Sequence, residues 1–322
     1  MGLRKYIINR LLMVPITLFI ASIFIFGIVR LIPGDPVLAL FAEDAFFGGS
    51  EARKMIMQMR EEIGLNRPIY VQYADWISHI ARGDFGDSFM FRRPAVEVLQ
   101  NRIVPSFLIM IMGLVFGVLL GIPAGIASAV RRNTWMDYLV RTLVVAGLSM
   151  PAFVTSAVVM VFLIWTFSWL PPAMFVPFHV DPFESLKTLI LPALIVGYGL
   201  AAALARVCRT QFLEVIREDY IRTAWAKGLR ERAVVFRHAL RNSLLPVVTL
   251  LGVNVAQLIA GAVVVETMFN IPGLGQGLVT VVLNRDYAVI QLFVIAIVIL
   301  VLVINLVVDL LYSWIDPRVR FE

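Results

Sequence analysis

From Leu11 to about Val29 the chain runs through apolar residues without a charge, and five further runs of the same kind follow. They cover Ile103 to Val130, Leu139 to about Trp165, Leu189 to Ala205, Leu244 to Val265 and Ala288 to Val308, with Arg141 the only charged residue inside any of them. A hydrocarbon core about 30 Å thick is crossed by a helix of roughly 20 apolar residues, and lipid offers no partner to unpaired backbone groups, so each run must fold as a helix. Six runs predict an all-α integral membrane protein with six transmembrane helices. Composition agrees: 60 % of residues are hydrophobic, against about 45–50 % apolar in ordinary soluble domains. The basic "MGLRKYIINR" ahead of the first run resembles a secretory leader, but that run is long for one and no small-residue cleavage site follows, so it reads as a retained span.

An even number of spans puts both termini on one side, and the basic residues choose the side. Seventeen of the 28 lysines and arginines fall on the N-terminal side, nine of them between Arg206 and Arg241. The long segment between the first two spans carries seven, offset by ten acids from Asp35 to Glu97. The positive-inside rule then makes the N-terminus, the 206–243 loop and the C-terminus cytoplasmic. The chain divides into residues 1–30, a tail and first span; 31–101, an outer helical insertion; and 102–322, a core of five spans with the loop. In the insertion Met55, Ile56, Met59 and Ile63 fall at helical spacing up to Gly64, and Val71, Ala74, Ile77 and Ile80 suggest a second short helix ended by Gly83.

Gly113, Gly117, Gly121 and Gly125 make one smooth strip on the second span, suited to close helix approach; packing within the chain is favoured over a subunit seam. Pro151 and Pro192 lie inside spans and are read as kinks at most.

The loop "RVCRTQFLEVIREDYIRTAWAKGLRERAVVFRHALRN" reads as two helices and an elbow. Leu213, Ile216, Tyr220 and Ala224 share a helical face, and Glu214 with Arg217 and Glu218 with Arg222 are spaced as ion pairs. Lys227 and Gly228 mark a helix end, and Val234, Val235 and Phe236 are the apolar content of the second run. Three readings stay open on pattern alone: a solvated basic loop, a helix lying on anionic lipid, and a docking element whose apolar residues a partner covers.

"EDYIRTAWAKGL" followed by "HALRNSLLPVVT" resembles the EAA loop of permease subunits in ATP-binding-cassette (ABC) importers, in the form of the dipeptide and oligopeptide branch. "LIPGDPV", "IGLNRPIYVQY", "GDFGDS", "SMPAF", "ETMFNIPGLG", "RDYAVIQ" and "NLVVDLLYSWIDPRVR" extend the likeness in order along nearly the whole chain. The resemblance implies a type I importer permease fold in a bacterial inner membrane, with 31–101 as a periplasmic insertion. It implies a second permease subunit, two cytoplasmic ATPase subunits that bind ATP and Mg, and a periplasmic or lipid-anchored substrate-binding protein. No cofactor is implied on this chain itself, and no nucleic acid. Gly228 matches the family's EAA glycine, before a coupling helix that fits the ATPase. The Glu-Ala-Ala positions hold Arg222, Thr223 and Ala224, so the acid is replaced, with Glu218 or Asp219 as possible substitutes, and Pro246 lies 18 residues beyond Gly228.

In the fifth span Asn254, Gln257 and Gly261 share a polar, narrow face, readable as a solute pathway or as interhelical hydrogen bonding. Glu266, Phe269, Pro272 and Gly273 match the family's outer-gate loop, though a plain turn reads nearly as well. Histidines are solitary, acids scattered, the span centres hold no ionisable group and no Walker loop occurs, which argues against an enzyme, a proton-coupled carrier and an ATP-binding chain. The expected cargo is a small peptide or related solute. Glutathione, nickel chelates, opines and oligosaccharides are alternatives within the branch, and a secondary transporter or membrane adaptor is the rival class.

Overall fold

The computed structural model describes residues 3–31, 57, 60–61, 64–170 and 175–315. Most of the first predicted insertion helix, including Met55, Ile56, Met59 and Ile63, lies outside them. The elements are α1 (Leu3–Leu31), α2 (Ile69–Ala81), β1 (Asp87–Ser88), β2 (Arg93–Pro94), α3 (Ala95–Val130), α4 (Trp135–Ser149), α5 (Ala152–Phe167), α6 (Pro182–Val215), α7 (Asp219–Ala226), α8 (Glu231–Ala233), a π-helical segment (Val234–Ala239), α9 (Leu240–Met268), α10 (Leu274–Leu283) and α11 (Tyr287–Ile315). Among the described residues four helices are long and apolar enough to cross a membrane unbroken, and two bent pairs, α4 with α5 and Val234–Leu244 with Pro246–Gly252, bring the spans to as many as six.

One bent pair corrects the reading of Pro151 as a kink. A proline disfavours helical geometry in the residue before it. Met150 is accordingly extended (φ −96°, ψ 117°), α4 ends at Ser149, and Pro151 becomes the N-cap of α5. The two helices meet at 117°. Pro105, Pro123 and Pro192, by contrast, stay inside continuous helices.

The chain forms two compact units. In the first (Met1–Tyr6, Pro105–Ile271 and Val303–Glu322), α6 is the hub, packing against α4, α5 and α9. It starts where Asp181 caps it, accepting hydrogen bonds from the amides of Phe183 and Glu184 at 3.0 and 3.1 Å, with Pro182 at the first helical position. The glycine strip of α3 lies against this hub. A Cβ on Gly121 would meet the Ala201 carbonyl oxygen at 2.6 Å, and one on Gly125 the Ala205 oxygen at 2.6 Å, so backbone touches backbone. The strip is an intramolecular seam.

The second unit comprises Ile7–Val104 and Pro272–Leu302. Its core gathers Val29, Val98, Leu99, Val281, Ile290 and Phe293. Helix α2 is held to α1 by a Ser22–Tyr73 hydroxyl pair at 2.8 Å and by Phe26, Tyr73 and Trp76 stacked edge and tilt. The β1–β2 hairpin is pinned through Asp286, which accepts from Ser88 Oγ at 2.5 Å and from the Met90 amide at 3.2 Å.

Candidate functional site

Helix α6 does not stop at the last apolar residue of its span but continues through Arg206 to Val215, carrying the hub into the loop. The loop helix then breaks at Arg217 and Glu218, because Glu218 is extended (φ −66°, ψ 148°), and α7 starts in a new phase. This overturns the single face predicted through Leu213, Ile216, Tyr220 and Ala224. Ile221 and Ala224 are buried while Tyr220 is exposed, its hydroxyl accepting from Asn242 Nδ2 at 2.8 Å. The ion pairing shifts as well: Arg222 reaches Asp219 at 3.5 Å, with both side chains mostly exposed, a contact worth little. Thr223 Oγ1 donates to the Asp219 carbonyl, inside the same short helix.

Gly228 ends α7 with φ +75°, in the left-handed region, and no atom within 4 Å of a built Cβ. Its amide donates to the Trp225 carbonyl at 2.9 Å, and the Leu229 amide returns to Ala224. The requirement for glycine here is conformational, since space is ample.

On the docking reading Val234 and Val235 belong with Phe236 to the apolar surface a partner covers, but within this chain both are already buried. They are 0 % and 6 % exposed, packed with Ala129, Phe212, Ile221 and Ala224 in the chain's own core. The cause is the π-helical segment: an i→i+5 turn sets Val234 and Ala239, five residues apart, both at 0 % exposure. Phe236 alone of the three is presented outward, at 57 %. It lines an open groove of about 530 Å³ with Pro123, Ile126, Ala127, Val130 and Glu231, and Val235 contributes to the groove wall. Trp225 and Leu229 are also exposed beside the Gly228 turn, and sequence pattern had passed over them.

A second feature missed from sequence anchors this region. Asp137, fully buried, accepts from Ser128 Oγ at 2.6 Å, from Arg209 Nε and Nη2 at 3.0 Å each, and from the Asn133 amide at 3.1 Å. The bidentate pair ties α4 to α6 one turn before Phe212, and the serine adds α3. Asp137 was the one acid in the stretch between Arg131 and Arg141, but its partner lies 72 residues away and no spacing rule would find it.

Asn254, Gln257 and Gly261 line one cavity of about 220 Å³, together with Gly147, Met150, Thr155 and Tyr198. The cavity sits at the Pro151 bend, where α4 and α5 part. Asn254 Nδ2 donates to the Leu250 carbonyl at 2.8 Å, a bond that does not engage its Oδ1. Tyr198 donates to the Leu143 carbonyl at 2.6 Å, and Thr155 to the Pro151 carbonyl at 3.4 Å. Amide, phenol and hydroxyl groups therefore interrupt a largely apolar lining, which includes Ile195, Val196, Leu200 and Leu258, around a narrow space without a net charge.

At the far end of α9, Glu266 is 1 % exposed and accepts from Ser106 Oγ at 2.6 Å, while its carbonyl receives the Ile271 amide. Phe269 is buried beside that turn. Pro272 and Gly273 belong to the second unit, where Gly273 precedes α10 in extended conformation (φ −99°).

Comparison with known proteins adds to this geometry. The family described as "Binding-protein-dependent transport system inner membrane component" matches residues 121–321, and the N-terminal model of the same transport systems matches residues 3–105. The glutathione transport system permease protein GsiC of Salmonella typhimurium is 40 % identical over 319 residues, covering 99 % of each chain. That of Shigella flexneri serotype 5b is 41 % identical over 323 residues and that of Escherichia coli K12 is 40 % identical over 319, again with 99 % coverage of each.

Proposed function

The chain belongs to the family of inner membrane components of binding-protein-dependent transport systems, and we propose that it forms half of a heteromeric pore for short peptides of the glutathione class. It is a permease subunit of an ABC importer with the all-helical type I fold. The proposal adds the partners and the orientation: a second similar permease, two ATPase subunits binding ATP and Mg, a periplasmic binding protein, and cytoplasmic termini with the 206–243 loop on the ATPase side. The arginine bias supports that orientation.

The observation that carries the reading is continuity. The helical run from Glu231 through α9, bent by 42° at Pro246, bears the groove residue Phe236 at one end, Asn254 and Gln257 at the cavity in its middle, and Glu266 at the other end. Rigid helices can pass a displacement at the loop to the cavity without chemistry in this chain. ATP can drive the change only by favouring one state over the other, so the ATPase contact must differ between states. Uncharged amides, a phenol and a hydroxyl suit a peptide backbone, and the glutathione permeases among the relatives make glutathione the first solute to try.

The experiment is reconstitution of the complex in liposomes with a glutathione-loaded binding protein. Loaded partner should stimulate ATP hydrolysis and uptake. Asn254→Leu with Gln257→Leu should abolish uptake while the ATPase still copurifies, and uptake at the wild-type rate would sink the cavity assignment. Phe236→Asp should release the ATPase, and an intact active complex would show that Phe236 is not a contact.

A further inference from the structure

A second cavity, of about 480 Å³, lies wholly within the second unit. Its walls come from the end of α1, from α2, from the turn between α2 and β1, and from the start of α11. No role assigned above uses it, and its size suits a small molecule rather than a packing defect.

Two buried polar atoms in its lining lack hydrogen-bond partners among the described residues, and they are of opposite kind. Arg30 carries its guanidinium over the rings of Phe26 and Tyr287, 5.2 and 5.7 Å from their centroids, with Nε buried and without an acceptor. Gln72 uses its Nε2 on the carbonyls of Leu65 and Arg67, at 3.1 and 2.7 Å, which fixes the amide and leaves Oε1 buried without a donor. Both atoms are closed to solvent, so an occupant of the cavity meets the outer nitrogens of the Arg30 guanidinium, which has no carboxylate against it among the described residues, and an unpaired, half-buried cation favours an anionic group beside it.

The other charges at the cavity are arranged in the same sense. Arg67 is paired with Asp75 at 2.9 Å and the His79 ring with Asp84 at 2.8 Å, so those carboxylates are engaged. The Gly86 amide and His79 hold the Asp84 carboxyl below the usual carboxylate range. Asp87, exposed, has no ion-pair partner among the described residues. An uncompensated cation between two aromatic rings and an uncompensated anion at the exposed edge form a polarised pocket, with Trp76 and Phe85 as apolar walls.

We propose that this cavity binds a small zwitterion of the amino acid or dipeptide class, its carboxylate on Arg30 and its ammonium toward the acidic edge at Asp87. The site is separate from the Asn254 cavity, and its occupant would report free solute rather than cross the pore there.

The test is equilibrium binding of alanyl-phenylalanine, and of the same dipeptide as its C-terminal amide, to the full-length complex in lipid nanodiscs. The wild type should bind the acid, and the amide should bind about tenfold more weakly or worse, as loss of a charge-assisted hydrogen bond predicts. Arg30→Met should weaken the acid by a similar factor and abolish the distinction between acid and amide, with Arg30→Lys intermediate. Asn254→Leu with Gln257→Leu should leave this binding unchanged, so failure here and failure of the pore reading are distinguishable. Phosphoethanolamine, a lipid headgroup with the same charge polarity, is the competing probe. Equal binding of acid and amide to the wild type, no binding up to about 10 mM, or tighter binding of phosphoethanolamine would each overturn the proposal.

Discussion

The α3–α6 seam and the 216–233 loop both depend on glycine, for opposite reasons. Along the seam the strip Gly113, Gly117, Gly121 and Gly125 is needed because there is no room: at Gly121 and Gly125 the obstacle is the neighbouring backbone itself, which cannot rotate away. At Gly228 there is room on every side, and the constraint is the sign of φ. A missing side chain therefore serves close approach in one place and chain reversal in the other. The first kind of requirement is a matter of packing and should be severe, while the second is local and should be mild.

The largest effect should come from breaking the seam. Gly121→Leu forces a whole side chain into the Ala201 backbone, which cannot give way, so the ~1–3 kcal/mol usual for overpacking by a few methylenes is only a lower bound and the seam itself must open. Full-length chain extracted from membranes should be lost or polydisperse in size-exclusion chromatography. A monodisperse, active Gly121→Leu protein would show that the seam yields, and the contrast with the loop would collapse.

Next in size is the clamp that fastens the seam to α4. Asp137→Ala leaves Arg209 without its bidentate partner, and breaking a buried pair by removing one member costs about 3–5 kcal/mol, less here because Arg209 retains some exposure. The full chain should still be recovered, but with a clearly lowered thermal midpoint. Replacing both residues, Asp137→Leu with Arg209→Met, should recover part of that loss, whereas no recovery would mean the charges do more than satisfy each other.

Gly228→Ala should be milder. A left-handed conformation costs an L-residue about 1–2 kcal/mol, and Asn tolerates it better than Ala. Thermal stability of the whole chain should move little while ATPase copurification falls, with Gly228→Asn closer to wild type. Equal loss in both variants would point to a steric role instead.

What the sequence made legible follows the same division. The spans and the glycine strip could be read because lipid and close packing impose long, regular patterns. Gly228 was legible because Lys227 and glycine mark a helix end locally. The inward turn of Val234 and Val235 was not, since the π-helical segment resets a register that 3.6-residue counting carries through. Ile221 was missed because the helix breaks at Glu218 and restarts. Pro151 was visible, but proline alone does not say whether a helix bends or turns by 117°. Arg209 and Asp137 meet across a long stretch of sequence, and Arg30 and Gln72 come to line one cavity, only because the fold places them there.

The smallest expected effect sharpens the comparison most. Gly199 lies on the hub helix two residues after Gly197, yet a Cβ there would find nothing within 4 Å, whereas one on Gly197 would lie 2.5 Å from the Gly113 carbonyl oxygen. Both residues are helical with ordinary φ, so neither is needed for its backbone. Gly199→Ala should be neutral or stabilise by about 0.4–1 kcal/mol through the unfolded chain, and Gly197→Ala should damage the fold as Gly121→Leu does. Thermal unfolding of the two variants side by side reads this directly. If Gly199→Ala were as harmful as Gly197→Ala, the harm would belong to helix α6 in general and not to the seam, and the distinction between glycine for space and glycine for φ would have to be drawn elsewhere.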